Sequence, residues 1–280
     1  MVTTVDAFGT RLRRAMDSLG PVCAGIDPHA SLLSSWGLAD SAEGLERFAM
    51  TAVEAFASQV AAVKPQSAFF ERHGSRGVAV LEKVLAACRE AGTLVILDVK
   101  RGDIGSTAQA YADAYLDPSS PLRADAVTAS PFLGFGSLSP LLDTAERHGG
   151  GVFVLALTSN PEGASVQRAR AESGRTVAGD VLAALSERNH GVEPLGSFGA
   201  VVGATVGDTG EDLAVNGPLL VPGFGAQGGS VESMRRPFAT VWENVLVSSS
   251  REILSSGPDV SALRSAARRT AEQITEGRVD

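Results

Sequence analysis

The sequence predicts a single α/β domain with the (β/α)8 (TIM) barrel fold. Three observations support this prediction: the chain has 280 residues, it contains eight short apolar runs, and segments with helical periodicity lie between those runs. Apolar strands that alternate with amphipathic helices indicate a parallel sheet covered by helices. Eight such units fit a closed barrel of this length better than an open doubly wound sheet.

The apolar runs are the predicted strands, taken in chain order. They are residues 22–27, 61–66, 93–100, 126–131, 151–159, 198–205, 219–223 and 244–250. The clearest helical periodicity lies at residues 44–59, 78–92, 107–116 and 260–275. The stretch 160–197 is longer than the repeat requires, and we expect it to hold a polar loop, one helix and a second loop. We therefore predict one domain over residues 1–280, with an enlarged βα unit at about 160–197.

Composition and charge exclude several classes of protein. The net charge of −8 argues against a nucleic-acid binder, which needs a basic face. Cys23 and Cys88 lie in apolar surroundings without CxxC or Cys/His spacing, so we expect two buried thiols in a reducing compartment and neither a disulfide nor a zinc site. No apolar run approaches the length of a membrane span, and the N-terminus lacks a signal-peptide core. We expect a cytoplasmic protein that does not enter a membrane.

Almost every predicted strand ends in a polar residue. In (β/α)8 barrels the carboxyl ends of the strands form the active-site face, so these residues are the functional candidates. They are Asp27, Lys64, Asp98, Lys100, Ser130, Ser159, Ser250 and Arg251. The sixth strand offers no strong catalytic candidate, and the four histidines show no spacing that suggests metal ligation.

The third predicted strand carries charge into the barrel. Because side chains alternate along a strand, Asp98 and Lys100 share one face, while Leu97 and Val99 share the other. The apolar pair should pack on the helices, which turns the charged pair towards the barrel mouth. Lys64 ends the neighbouring strand, so we predict an array of alternating charges from Lys64 through Asp98 to Lys100. Buried charges need partners, and a protonated lysine held by carboxylates can donate a proton.

Two structural alternatives accompany this interpretation. The charges could form an ion-pair network without a function, and Asp103 could cap the helix that follows it. We favour the functional interpretation because ion pairs that serve no purpose seldom accumulate inside a barrel mouth.

The glycine-rich segment GFGAQG at 223–228 follows the seventh predicted strand. It matches GxGxxG, but the next helix is short and interrupted by Pro237, and Glu243 precedes a strand, where a ribose-binding carboxylate does not belong. Loops after strands seven and eight of such barrels commonly hold a phosphate. We therefore predict a phosphate site in which Gln227 donates its amide and Arg251 binds bidentately. The alternative is that the glycines only form turns and that Arg251 lies on the surface.

Residues 98–107, DVKRGDIGST, fit the pattern Asp-x-Lys-x-x-Asp-Ile-x-x-Thr. This pattern resembles the signature of the orotidine 5′-phosphate decarboxylase family, and the surrounding sequence is similar to the longer bacterial subgroup. The resemblance covers nearly the whole chain. It implies a barrel carboxy-lyase that converts orotidine 5′-monophosphate to UMP in pyrimidine biosynthesis, without metal, flavin, other cofactor or Schiff base.

The resemblance also implies roles for single residues. Asp98 and Lys100 match the central pair, whose lysine donates the proton to C6, and Lys64 matches the lysine that orders the charged array. The implied substrate-binding residues are Asp27 at the ribose hydroxyls, Ser159 at the pyrimidine, and Gln227 with Arg251 at the phosphate.

The resemblance further implies a homodimer with shared active sites. Asp103, Ile104 and Thr107 match residues that the family contributes to the partner subunit's site, with Asp103 among the catalytic groups and Ile104 near the base. One departure concerns the eighth strand, where Glu252 follows Arg251 although many relatives have glycine. This departure leaves open which backbone amides meet the phosphate.

The residues leave three other functions open. A class I aldolase needs a neutral lysine for its Schiff base, whereas Asp98 and Asp103 beside Lys100 favour an ammonium. Related barrels that decarboxylate a keto-sugar phosphate with magnesium carry an acidic ligand at the end of strand two, where this chain has Lys64. A non-catalytic barrel that only binds a nucleotide would not need the intact set of Asp98, Lys100 and Asp103.

Overall fold

A computed structural model describes residues 6–277 and contains eight parallel strands. The strands are β1 Val22–Ile26, β2 Ala62–Pro65, β3 Leu94–Arg101, β4 Ala126–Ala129, β5 Gly151–Leu157, β6 Phe198–Val202, β7 Leu219–Pro222 and β8 Val245–Ser249. Each strand pairs with the next in parallel, and β8 pairs with β1, so the sheet closes into a barrel. The predicted (β/α)8 fold is confirmed, and each observed strand overlaps one predicted strand.

Helices lie between the strands and at both ends of the described chain. They are α1 Phe8–Leu19, α2 Ala30–Ser35, α3 Ala42–Phe56, α4 Ser67–Glu71, α5 Gly74–Glu90, α6 Gly105–Leu116, α7 Ser139–His148, α8 Ala164–Gln167, α9 Val177–Arg188, α10 Val231–Phe238, α11 Arg251–Leu254 and α12 Val260–Glu276. Short 3-10 turns occupy Phe135–Leu138, Pro161–Gly163 and Ala239–Asn244. The four segments with predicted helical periodicity all lie within or across helices of the structure. Within 6–277, no helix combines the length and apolar character that a membrane span needs.

The stretch 160–197 holds one full helix, α9, and a short turn of helix, α8. The Thr176 hydroxyl begins α9 by accepting a hydrogen bond from the Gly179 N–H at 2.9 Å, and α9 packs against β5 and β6. The expectation of a single helix therefore missed α8. The assignment of residues 1–280 to one domain with an enlarged unit here stays a prediction.

The core has two layers, inside and outside the sheet. Ile96 belongs to the inner layer, whereas Leu97 and Val99 belong to the layer between strands and helices, as alternation predicted. Helix α1 closes the amino-terminal end of the barrel, where Phe8 packs edge to face on Phe153 with ring centroids 5.9 Å apart. The carboxyl ends of the strands are therefore the open end.

Both cysteines are free and buried, as predicted. Cys23 lies in the inner layer and Cys88 in the outer layer. Burial raises the pKa of each thiol to about 12, because the thiolate would lose its hydration. Both thiols therefore act as apolar packing groups.

Candidate active site

A cavity of about 220 Å³ opens at the carboxyl ends of the strands. Its base is apolar and includes Leu155, Val201 and Leu220, and its mouth is polar. Seven of the predicted candidate residues line it: Asp27, Lys64, Asp98, Lys100, Gln227, Ser250 and Arg251. The structure thus brings together side chains from the ends of four strands, β1, β2, β3 and β8, and from the loop after β7.

Asp98 is the centre of the charged array and is almost fully buried. Its Oδ2 atom accepts hydrogen bonds from Lys64 Nζ at 2.9 Å and from Gln66 Nε2 at 3.0 Å. Its Oδ1 atom accepts from Lys100 Nζ at 2.6 Å and from the Thr128 hydroxyl at 2.8 Å. Burial opposes ionisation, but the two ammonium groups outweigh it and hold the pKa of Asp98 well below its usual range. Asp98 is a fixed carboxylate.

Lys64 joins two carboxylates at the floor of the cavity mouth. Its ammonium lies 2.9 Å from Asp98 Oδ2 and 4.0 Å from Asp27 Oδ1. Burial works against the charge, but Asp27 and Asp98 outweigh it and raise the pKa of Lys64 above its usual value. The predicted contact between Lys64 and Asp98 is present.

The two lysines differ in exposure. The Lys64 side chain is 7% exposed, whereas that of Lys100 is 45% exposed. Both lysines line the cavity, but the Lys100 side chain is much the more accessible of the two while its ammonium stays bonded to Asp98. Of the two, Lys100 is the group that a bound molecule can reach.

The backbone at Lys100 is irregular. β3 pairs with β4 at Leu97, opposite Val127, and again at Arg101, opposite Ala129, so three residues of β3 face one residue of β4. Lys100 has a φ angle of +47°, in the left-handed region. For a residue other than glycine this conformation costs of order 1–3 kcal/mol, and it persists where the surroundings hold it. The bulge interrupts the pairing of β3 with β4 at this position, while the Lys100 side chain still faces the cavity, as alternation predicted.

Asp27 lines the cavity beside Lys64. Its Oδ2 atom accepts a hydrogen bond from the Ser250 hydroxyl, which follows the neighbouring strand β8. Its Oδ1 atom is buried and has no hydrogen-bond partner within residues 6–277. A buried acceptor of this kind is costly unless a ligand hydroxyl supplies the donor.

The loop 223–229 forms one wall of the cavity. Gly223, Gly225 and Gly228 have φ angles of +100°, +73° and +90°, which glycine adopts without strain. The Gly225 N–H donates to the Gly229 carbonyl at 2.8 Å, which folds the loop back on itself. Gln227 projects from this loop, and Arg251 begins α11 across the mouth. In the part of the chain that the structure describes, the Arg251 guanidinium makes no salt bridge, so it is available for an anion.

The dinucleotide interpretation of this loop gains no support. The helix that follows, α10, spans only Val231–Phe238 and contains Pro237. Glu243 precedes β8 in a 3-10 turn. Neither feature provides the long helix and the carboxylate at a strand's carboxyl end that a dinucleotide site uses.

Three predicted site residues lie outside the cavity, beyond the end of β3. Asp103 accepts a hydrogen bond from the Ile104 N–H at 2.8 Å, and Thr107 is exposed on the first turn of α6. Ile104 is 63% exposed. The alternative that Asp103 caps α6 is wrong, because the residue that precedes the helix is Ile104 and no side chain caps it.

The structure also places Ser159 outside the cavity, in a neighbouring depression. Regular alternation from Leu155, which faces the barrel interior, would turn Ser159 inward. The pairing of β5 with β6 shifts between Leu155 and Leu157, and Thr158 lines the cavity instead. Gln167 holds Thr158 through two hydrogen bonds of 2.9 and 2.6 Å. The contact of Ser159 with a pyrimidine stays a prediction.

Three polar residues that line the cavity were not predicted from the sequence: Gln66, Thr128 and Thr158. A signal existed for the first two: Gln66 lies two residues after Lys64, and Thr128 is the polar residue within an apolar strand. Alternation places both on the inner face. No such signal existed for Thr158, because its orientation depends on the shift in β5.

The model of the family described as orotidine 5′-phosphate decarboxylase / HUMPS matches residues 20–266. The chain belongs to this family. It is 63% identical to the orotidine 5′-phosphate decarboxylase of Salinispora arenicola over 266 residues, which are 95% of this chain and 96% of the relative. These findings confirm the resemblance that the strand-three motif indicated.

Solved structures agree with this assignment. A crystal structure from Streptomyces avermitilis, described as a candidate orotidine 5′-phosphate decarboxylase, has a TM-score of 0.97 at 58% identity and covers 99% of this chain and 98% of its own. The OMP decarboxylase of Leishmania donovani has a TM-score of 0.73 at 30% identity, with 98% and 99% coverage. Both structures share the barrel with this chain over nearly its whole length.

Proposed function

We propose that the chain decarboxylates orotidine 5′-monophosphate to UMP, the carboxy-lyase step of pyrimidine biosynthesis. The observation that carries the proposal is the exposed Lys100 ammonium, 2.6 Å from an Asp98 carboxylate that three other donors hold in place. Relatives that cover nearly the whole chain bear the name of this activity.

The chemistry requires stabilisation of negative charge at one carbon. When the bond between C6 and the carboxylate breaks, CO₂ leaves and the electron pair remains on C6. The Lys100 ammonium stabilises this charge and transfers a proton to C6, and it regains a proton from solvent. Asp98 beside the substrate carboxylate adds a repulsion that the departure of CO₂ relieves. Lys64 is the anchor that holds Asp98.

Binding uses groups at the other end of the cavity. Arg251 and Gln227 take the phosphate, with backbone amides of the loop 223–229 beside them. The carboxylate of Asp27, whose Oδ1 atom lacks a hydrogen-bond donor within residues 6–277, accepts a ribose hydroxyl. Phosphate binding far from C6 supplies binding energy that can serve the chemical step.

The same proposal includes a homodimer with shared sites. Ile104, Phe132 and Leu133 are 63%, 78% and 53% exposed and follow the neighbouring strands β3 and β4 at the open end. Large exposed apolar side chains beside a site mark an interaction surface. A second copy that covers them brings Asp103 and Thr107 to the partner's cavity.

We also infer that the reaction needs no metal or other cofactor. Asp98 accepts four hydrogen bonds, so its oxygens are already occupied by donors. The paired carboxylate favours the ammonium form that proton transfer needs, not the neutral amine of an aldolase. The cytoplasmic location inferred from the sequence belongs to the same proposal.

The test follows the loss of orotidine 5′-monophosphate absorbance in the presence of a chelator. We expect turnover by the wild type and by Lys83→Ala, a surface lysine paired with Glu46, and none by Lys100→Ala. Absence of turnover by the wild type, or equal turnover by Lys100→Ala, would refute the proposal. A borohydride-trapped adduct on Lys100 would favour the aldolase, and UMP binding without turnover would favour a binding protein.

A further inference from the structure

Resting on the proposed decarboxylation, we propose that Thr128 is a positioning residue that fixes Lys100 relative to Asp98. Thr128 lies on β4 and is 1% exposed. Its hydroxyl donates a hydrogen bond to Asp98 Oδ1 at 2.8 Å and accepts one from the backbone N–H of Lys100 at 2.9 Å. One buried hydroxyl therefore bonds to both members of the central pair.

The bulge in β3 explains why this hydroxyl is needed. Three residues of β3 face the single residue Thr128 between the regular pairs on either side. In a regular parallel ladder, a backbone N–H of one strand donates its hydrogen bond to a backbone carbonyl of the neighbouring strand. At Lys100 the side chain of Thr128 is the acceptor. This bond lies inside the stretch where the regular pairing of β3 with β4 is interrupted.

The left-handed backbone of Lys100 depends on the same bond. A φ angle of +47° at a residue other than glycine persists only where the surroundings over-determine it. Two bonds fix Lys100 here: its backbone N–H is tied to Thr128, and its ammonium is tied to Asp98. Without the hydroxyl, the backbone is free to relax and the ammonium loses its fixed distance to the reacting carbon.

This arrangement predicts an effect on chemistry rather than on binding. The ammonium acts where negative charge develops, whereas Arg251 and Asp27 hold the phosphate and ribose elsewhere in the cavity. A displacement of about 1 Å at the reacting atoms costs about 100-fold in rate. Loss of the Thr128 hydroxyl should therefore lower kcat and leave KM unchanged.

Three variants test the inference. Thr128→Val keeps the shape and removes the hydroxyl, and Thr128→Ser keeps the hydroxyl. Thr270→Val is the matched control, because Thr270 is also buried but, within residues 6–277, its hydroxyl bonds only to Ala266 of its own helix, at 3.1 Å. For each variant we would measure kcat and KM, thermal unfolding, and the affinities for UMP and for a pyrimidine nucleotide that carries a C6 oxyanion. Should Thr128→Val not fold, Thr128→Ala takes its place with the same expectation.

We expect Thr128→Val to lose about 10- to 100-fold in kcat and in affinity for the C6 oxyanion, with KM and UMP affinity unchanged. Thr128→Ser should restore most of kcat, and Thr270→Val should match the wild type. Wild-type kcat in Thr128→Val, a parallel loss of UMP affinity, or no rescue by serine would overturn the inference. Absence of turnover by the wild type would instead overturn the proposed function, and this inference with it.

Discussion

The ammonium of Lys64 lies 2.9 Å from the carboxylate of Asp98, and their side chains are only 7% and 8% exposed. This contact crosses from β2 to β3 beneath the more exposed Lys100. A buried carboxylate that keeps its charge needs such a partner, because the interior replaces its hydration poorly. The inner pair therefore holds the anion on which the outer lysine depends.

The first prediction concerns this buried pair. We expect Lys64→Met to lower the free energy of unfolding by about 3–5 kcal/mol at most, because Asp98 loses its buried cationic partner and keeps the more exposed Lys100 ammonium. Adding Asp98→Asn should recover part of that loss, since the remaining side chain is neutral. Urea unfolding of the two single variants and the double variant gives the comparison. Additive losses would show that the two side chains do not act as a pair.

The second prediction is the dependence of stability on pH. The pKa of Asp98 is lower in the folded state than the value of about 3.9 for an unfolded chain. Between these two values the unfolded state binds more protons, so stability rises with pH. The contribution of Asp98 is complete above the unfolded value and is lost as the pH falls through the folded value.

Urea unfolding of the wild type and Asp98→Asn from pH 3 to 7 tests this dependence. The difference in free energy between the two proteins should be constant near neutral pH and shrink as the pH falls below about 4. Subtracting the free energies of unfolding of the two proteins cancels the contribution of the carboxyl groups that they share. A difference that stays constant across the whole range would contradict the lowered pKa.

The fold and the charged array follow from local sequence patterns, whereas the details of the site do not. Alternation along β3 was sufficient to place Asp98 and Lys100 inside, because the pattern of a strand decides which face each residue takes. The same alternation also places Gln66 inside, because it lies two residues after Lys64.

Alternation along a strand does not predict the two bulges. Two details depend on pairing shifts between neighbouring strands. They are the position of Thr158 and the hydrogen bond that the Lys100 N–H donates to Thr128. Such a shift reflects contacts between residues far apart in the chain, which no local pattern records. This is why the sequence indicated Ser159 where the structure has Thr158.

The third prediction separates phosphate recognition from chemistry. We expect Arg251→Ala to lower kcat/KM for orotidine 5′-monophosphate about 10- to 100-fold, because a charged hydrogen bond contributes about 1.5–3 kcal/mol. The same variant should act on orotidine, which lacks the phosphate, as the wild type does. Arg188→Ala, which removes a surface partner of Asp143, is the control. An equal loss with both substrates would place Arg251 outside the phosphate site.

The fourth prediction tests whether two subunits share each site. If Asp103 serves the partner's cavity, a heterodimer of Lys100→Ala and Asp103→Ala subunits contains one doubly altered site and one intact site. Half of the dimers are mixed after random exchange, so an equal mixture of the two inactive variants should regain about a quarter of wild-type activity. The Phe132→Asp variant places a charge on the apolar surface, so it should neither dimerise nor turn over substrate. The control is Val166→Asp, which changes another exposed apolar residue; this variant should dimerise and turn over substrate. No recovery on mixing, or an active Phe132→Asp monomer, would show that each subunit completes its own site.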